Sequence, residues 1–302
     1  MKVYKVNSFT HNGQGGNPAG IVLLDSDIPT SRKQEIAKEV GYSETAFVLP
    51  SALNEADFNV TFFTPTDEVP LCGHATIAAY SVLLLEKRLP KRHLVQDTKA
   101  GQLKIEIEEG SSMVYMEQST PKGEALNTDS IQTLKSIFTV SEEVQNLFTC
   151  AYDAYSHEIE LNPEIWNTGL RDILLPIKNR ALLNALTIDF KTLSDLSKSE
   201  NVVGVHAFTY EDGQFYARNF APLYGIDEES ATGTSNGALT AYLYHHIQQN
   251  GFNKMKSLEL KILQGEQMGA LSEIHTRCEV TDSKTPEIWV GGYATIVDTL
   301  TL

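Results

Sequence analysis

Glu44 is the residue of this chain whose neighbours best suit it to moving a proton. It stands in Gly41-Tyr42-Ser43-Glu44-Thr45-Ala46-Phe47, a carboxylate at the mouth of an apolar strand. A carboxyl group against apolar walls has its charged form disfavoured, which makes it a better shuttle at neutral pH. A solvated glutamate at a loop–strand junction fits the same motif. His74, just after Gly73, could hold a ligand carboxylate, cap its helix or sit satisfied in the core. Thr234 stands at the corresponding place after Gly233 and could cap its own helix or bind substrate. Glu68, Glu228 and Glu229 precede the two helices, where negative charge is favourable even without a ligand. Cys72, at a helix start beside a histidine, has the surroundings that favour a thiolate base or nucleophile. A two-thiol mechanism needs a second sulfur in the matching stretch, which offers only Ser230, Ala231 and Thr232.

The elements that must carry these residues read as imperfect copies. Phe63-Thr64-Pro65 leads through acidic residues to Cys72-Gly73-His74-Ala75-Thr76; Phe220-Ala221-Pro222 leads the same way to Thr232-Gly233-Thr234-Ser235-Asn236. Each ends in a small turn that opens a helix almost free of charge. A helix N-terminus presents unpaired N–H groups and the positive end of a dipole, a ready anion site. Two such ends facing one cleft would grip a carboxylate from both sides. From Gly73 to Leu85 there is no Asp, Glu, Lys or Arg, so that helix must be wrapped on every side.

The order of elements also repeats. Ile21–Leu24 is a short buried strand, followed by a helix capped near Thr30 or Ser31 with Ile36, Ala37 and Val40 on one face and Gly41 at its exit. Strands Thr45–Leu49 and Phe58–Phe62 follow. In the second half, strand Ile173–Ile177, a helix over Asp189–Lys198, strands Val203–Phe208 and Phe215–Phe220, and a helix from about Asn236 to His246 follow the same plan. The expectation is an α/β (α+β) chain of two similar domains made by tandem duplication, each a strongly curved sheet around its own buried helix. The boundary is expected near Gln118–Gly123, giving domains 1–118 and 119–292, with the tail 293–302 a candidate to complete the first. Residues 124–170 suggest two helices and a strand around Leu147–Tyr152. Ile288–Ala294 reads as a closing strand with a glycine bulge. The run Asn12–Gly20 reads as a flexible turn; it lacks the Gly-Lys-Ser/Thr of a phosphate loop, which argues against nucleotide binding.

Composition narrows the classes. The formal charge of −15 over 302 residues disfavours nucleic acid and anionic membrane as partners. No apolar run approaches the ~20 residues of a membrane span. The start alternates like a strand, without the apolar block of a signal peptide, so a cytoplasmic protein is expected. Three scattered cysteines form neither a disulfide framework nor a zinc cluster, and the histidines fall in no metal-ligand spacing, so no metal or cofactor is expected.

Together these residues resemble the phenazine-biosynthesis PhzF-like family, within the wider diaminopimelate-epimerase-like fold. The carriers are Gly16-Asn17-Pro18-Ala19, Ser43–Phe47, Phe63-Thr64-Pro65 with Glu68 and Cys72–Thr76, Phe220-Ala221-Pro222 with Glu229 and Thr232-Gly233-Thr234, Gln264-Gly265, and Val290–Ala294, in the family's order. The resemblance implies two domains, each a β-barrel-like sheet around a central helix, with the active cleft between them. It implies cofactor-free isomerisation by proton transfer at carbon, with Glu44 as general acid/base. Gly73, His74, Glu229, Gly233 and Thr234 then become contacts for a small carboxylate substrate, and a homodimer is expected. Glu229 and Thr234 stand where the characterised phenazine enzyme has Asp and Ser, which points away from the phenazine precursor as substrate. Two alternatives stand beside this reading: a two-base racemase or epimerase using Cys72, and a carboxylate- or partner-binding module without turnover.

Overall fold

The structure is a computed structural model and describes residues 1–141, 146–154, 157–251, 255–280 and 285–302. It divides into two compact units: Met1–Glu117 with Leu271–Glu273 and Gly291–Leu302, and Gln118–Ala270 with Ile274–Val290.

The first unit contains β1 (Lys2–Ser8), β2 (Asn17–Leu23), α1 (Thr30–Val40), β3 (Thr45–Pro50), β4 (Phe58–Phe63), β5 (Glu68–Val69), α2 (Gly73–Leu85), β6 (His93–Thr98), β7 (Gly101–Ile107) and β8 (Val114–Glu117). The C-terminal strand Ala294–Thr301 also belongs to it and pairs antiparallel with β1, Tyr4 opposite Thr299. β1 and β2 are antiparallel, β2 and β3 parallel, β3 and β4 antiparallel, and β4 and β6 parallel. The parallel pairs require crossovers, which α1 and α2 supply. β6, β7 and β8 finish as an antiparallel meander. α2 touches β1, β2, β3, β8 and the C-terminal strand. Its buried residues run almost without interruption from His74 to Leu83, which is why its sequence carries no charge.

The second unit contains β9 (Lys122–Ala125), α3 (Thr128–Ile137), β10 (Phe138–Thr139), β11 (Cys150–Ala154), β12 (His157–Leu161), β13 (Glu164–Asn167), β14 (Arg171–Pro176), α4 (Arg180–Ala185), β15 (Thr187–Ile188), α5 (Phe190–Glu200), β16 (Gly204–Glu211), β17 (Gln214–Ala221), β18 (Ile226–Glu229), α6 (Gly233–Gln249), β19 (Ser257–Gln264) and most of β20 (Ser272–Val280) and β21 (Pro286–Gly292). β13 is antiparallel to β14, β14 parallel to β16, β16 antiparallel to β17, and β17 parallel to β19. That is the order of pairing senses found in the first unit. One apolar cluster, including Leu239, Tyr242, Leu243 and Ile247, surrounds α6. Another, including Leu134, Leu183, Leu193 and Phe220, packs beneath α3, α4 and α5.

Several sequence expectations need correction. α1 begins after Pro29 with no side-chain cap, so neither Thr30 nor Ser31 acts as one; Gly41 does close it in the left-handed region at φ 71°. The glycine-rich run is only half a turn, because Asn17–Gly20 are already strand β2. The tail is two strands, Pro286–Gly292 and Ala294–Thr301, rather than one closing strand. Between 124 and 170 the described residues hold one helix, α3, while 142–145 and 155–156 lie outside them.

Candidate functional site

The candidate site of the first unit is assembled at the start of α2 from two segments. Glu44 lies one residue before β3, fixed by register: Gly20 pairs with Thr45, and the Gly20 N–H donates to the Glu44 carbonyl at 3.0 Å. Gly20 makes this approach possible. A Cβ there would sit 2.7 Å from Thr45 Oγ1 and 2.9 Å from Val40 Cγ1. Cys72 is the extended residue before α2 and makes no side-chain cap. Its carbonyl accepts from the N–H and the hydroxyl of Thr76, at 3.0 and 2.8 Å. The first turn of α2 therefore starts without a side-chain acceptor of its own. Ser8 donates its hydroxyl to the His74 carbonyl at 2.6 Å and ties that turn to β1.

His74 Nε2 lies 3.2 Å from Glu44 Oε2, with the imidazole buried and the carboxylate one-fifth exposed. Cys72 Sγ lies 3.5 Å from Nδ1 and 3.7 Å from Nε2 of the same ring. Burial, the largest single effect on Glu44, pushes its pKa up, but His74, Ser43 and Cys72 outweigh it and hold the group below the ordinary glutamate range. The expectation of a disfavoured carboxylate is thus reversed, because the sequence did not reveal the imidazole beside it. Burial alone would push His74 down; the Cys72 sulfur and the Glu44 carboxylate reverse this and raise it well above the ordinary value. Burial, reinforced by Glu44, raises the Cys72 thiol against the pull of His74. The surroundings thus favour the ionised form of Glu44 and the protonated form of the Cys72 thiol. That thiol state weighs against a Cys72 base.

In the second unit, α6 starts at Gly233, again without a side-chain cap, and Thr232 holds the position that Cys72 holds in α2. Thr232 Oγ1 donates to Glu229 Oε2 at 2.5 Å. Gln264 Nε2 donates to the Glu229 carbonyl at 2.8 Å and to Thr232 Oγ1 at 3.1 Å. Thr234 does not cap α6; its carbonyl accepts from Thr168 Oγ1 at 3.0 Å. Glu228 faces elsewhere, in a bidentate pair with buried Arg218 at 2.9 and 2.8 Å.

Beneath this turn lies a polar layer that the sequence reading missed. Ser235 donates to Asp172 Oδ2 at 2.6 Å and accepts from Asn219 Nδ2 at 3.1 Å. Asn219 Nδ2 also lies 3.2 Å from His206 Nδ1, which accepts from it, while His206 Nε2 donates to Asn236 Oδ1 at 3.2 Å. Asn236 Nδ2 donates to Gln264 Oε1 at 2.8 Å and completes the chain back to Thr232. The available signal was a polar residue at a buried position of an apolar strand: Asp172 before Ile173–Leu175, His206 within Val205–Phe208, Asn219 beside Phe220. A groove of about 490 Å³ also opens beside Trp166, His245 and His246, away from every predicted site residue of this unit. Of its two acids, Glu164 is already engaged by His246 and Trp166, both at 2.8 Å, and Glu124 pairs with Arg171.

Among the described residues, no helix is long and apolar enough to cross a membrane. The fold is a sheet-dominated mixed α/β one. A solved hydroxyproline epimerase from Agrobacterium vitis, with bound trans-4-hydroxy-L-proline, superimposes with a TM-score of 0.57 at 14% identity, covering 99% of this chain and 91% of its own, a likeness of fold alone. The chain belongs to the PhzC–PhzF family of phenazine biosynthesis-like proteins, whose family model matches residues 6–299. An uncharacterized isomerase of Clostridium acetobutylicum is 32% identical over 98% of this chain and 95% of its own length. The crystal structure of a PhzF-family phenazine biosynthesis protein from Bacillus anthracis has a TM-score of 0.83 at 27% identity, covering 100% and 98% of the two chains. An isomerase is the enzyme class that fits.

Proposed function

We propose that the protein is a cofactor-independent isomerase that moves a proton at a carbon of a small carboxylate-bearing molecule, with Glu44 as general acid/base. One observation carries this reading. An ionised carboxylate lies 3.2 Å from an imidazole that opens an uncapped, buried helix. The helix end and the His74 charge attract the substrate carboxylate. Glu44, in its basic form, takes a proton from the adjacent carbon and returns it elsewhere or on the other face. Pre-organised N–H donors stabilise the charge that develops on the substrate. Gly73 is proposed to let the substrate approach the first turn. Glu229, Gly233 and Thr234 are proposed as further substrate contacts; Thr232 and Gln264 hold the first of these in place.

The repeated order of pairing senses supports a tandem duplication of one curved unit. A soluble cytoplasmic homodimer belongs to the same reading, and sedimentation velocity tests the dimer.

The functional test begins with a thermal-shift screen of small organic acids. Each hit is incubated in D2O and followed by proton NMR for loss of a carbon-bound hydrogen. Glu44→Gln should bind the same acids and incorporate no deuterium. Undiminished exchange in that variant refutes the assignment.

A further inference from the structure

The first unit shows what the positions of Asp172, His206, Asn219 and Ser235 hold when the layer is not polar. Counting from the glycines that open α2 and α6, Ala75 matches Ser235. Ala46 pairs with Phe62 as His206 pairs with Asn219, and Phe62 and Asn219 each precede a buried phenylalanine, Phe63 or Phe220. Ile21 lies opposite Ala46 and Leu174 opposite His206, so Ala19 and Asp172, two residues earlier, also correspond. Ala19, Ala46, Phe62 and Ala75 are all fully buried and apolar. The pairing pattern therefore tolerates an apolar layer, and an apolar core of similar volume is often at least as stable as a buried charged network.

We propose that Asp172, acting through Ser235, is a positioning residue for the carboxylate contacts at the start of α6, and that the polar layer is kept for this role rather than for the fold. The proposal rests on the reading of Glu229, Gly233 and Thr234 as such contacts.

Geometry carries the argument. Ser235 is the third residue of α6 and donates to Asp172 Oδ2 at 2.6 Å, and Asp172 is buried on β14, between β13 and β16. The hydroxyl thus anchors to the sheet interior a helical turn that no side chain caps. From Ser235 the contacts run through Asn219, His206, Asn236 and Gln264 to Thr232, whose hydroxyl holds Glu229. One chain of hydrogen bonds therefore fixes both sides of the turn from Glu229 to Gly233. In α2 the first turn is anchored from β1 instead, by Ser8 on the His74 carbonyl.

Asp172 faces the Ser235 hydroxyl, the Gly204 N–H and the field of Glu229. Burial, reinforced by Glu229 and opposed by Ser235 and Gly204, holds its pKa at about 6. His206, reached through Asn219, is pushed down to about 4 and stays neutral above that value. Loss of the Asp172 proton places a negative charge beneath the turn, so anion binding there should weaken as pH rises.

Trifluoroacetate, ionised throughout this range, is the probe, followed by fluorine NMR. Asp172→Ala combined with Ser235→Ala gives α6 the residues that the first unit uses. It should weaken binding at least about fivefold, the lower end of coupling between linked groups. Asp172→Asn keeps an acceptor for Ser235 and should bind like the wild type at about pH 5. It should then lose less affinity than the wild type between about pH 5 and about pH 7, which a purely structural residue would not change. Unchanged affinity in the double variant, or a wild-type pH dependence in Asp172→Asn, overturns the proposal. Urea denaturation checks that each variant is folded. In the exchange assay the double variant should raise KM more than it lowers kcat, since Glu44 belongs to the other unit. If the wild type does not bind trifluoroacetate, the carboxylate reading of α6 falls and this proposal with it. If the probe behaves as expected while no acid exchanges deuterium, only the isomerase reading falls.

Discussion

Replacing Asp172 by Asn should expose a cancellation built into the layer beneath α6. Asp172 is 2% exposed, and burial, partly relieved by Ser235 and Gly204 and reinforced by Glu229, pushes its pKa from 3.8 up to about 6. The unfolded carboxyl group loses its proton near 4 and the folded one near 6. Between these values the folded state binds more protons, so stability falls as pH rises, in total by about 3 kcal/mol at about 1.4 kcal/mol per unit. His206 does the opposite. Burial, only partly offset by Asn236, pushes its pKa from 6.5 down to about 4. Its unfolded form takes up a proton below 6.5 that the folded form refuses, so stability falls as pH drops through the same window, again by about 3 kcal/mol. The two slopes oppose each other and leave the wild type nearly flat. Asp172→Asn removes one slope, and the variant should lose about 3 kcal/mol relative to wild type on acidification from pH 7 to 4. His206→Gln should show the reverse. Both tryptophans of the chain, Trp166 and Trp289, lie in the unit that holds Asp172 and His206. Urea denaturation followed by tryptophan fluorescence at several pH values therefore reads the right unit. A stability difference between wild type and Asp172→Asn that changes by less than about 1 kcal/mol across this range refutes the reasoning.

Two further substitutions test the scaffold. Gly20→Ala forces a methyl group against Thr45 and Val40 and should cost about 1–3 kcal/mol, read as a lower urea midpoint; an unchanged midpoint shows that the strand pair gives way freely. Arg218→Met leaves Glu228 without its bidentate partner in a buried setting and should cost about 3–5 kcal/mol in thermal unfolding. Adding Glu228→Gln should recover part of that loss, and a double variant no more stable than the single one contradicts the pairing argument.

Local pattern and global consequence were legible to different degrees. Gly73–Leu85 could be read to the residue, because a helix without charge has only one stable environment and the Gly-His turn marks where it begins. The family motifs also lie in short contiguous runs, which is why Cys72, Gly73 and His74 were recognisable together. Glu44 was recognisable as a candidate, but its ionisation was not. The direction of its pKa depends on an imidazole from the start of α2, which only the folded chain brings beside it. The layer of Asp172, His206, Asn219 and Ser235 was harder still, since its members come from four separate elements and each looks like an isolated polar residue. The cap assigned to α1 failed for a related reason: Thr30 and Ser31 have the right chemistry, but the chain turns one residue earlier, at Pro29.

The pairing of β1 with the C-terminal strand has a consequence for biosynthesis. As the chain leaves the ribosome, the opening strand of the first unit waits while everything from Gln118 to Ala270 is made, because its partner is Ala294–Thr301. The second unit can condense while that edge is still bare, and unprotected strand edges invite association with other nascent chains. A translation arrest before Ala294 would release a molecule whose first unit lacks that final staple, and chaperone demand should peak before Ala294–Thr301 emerges.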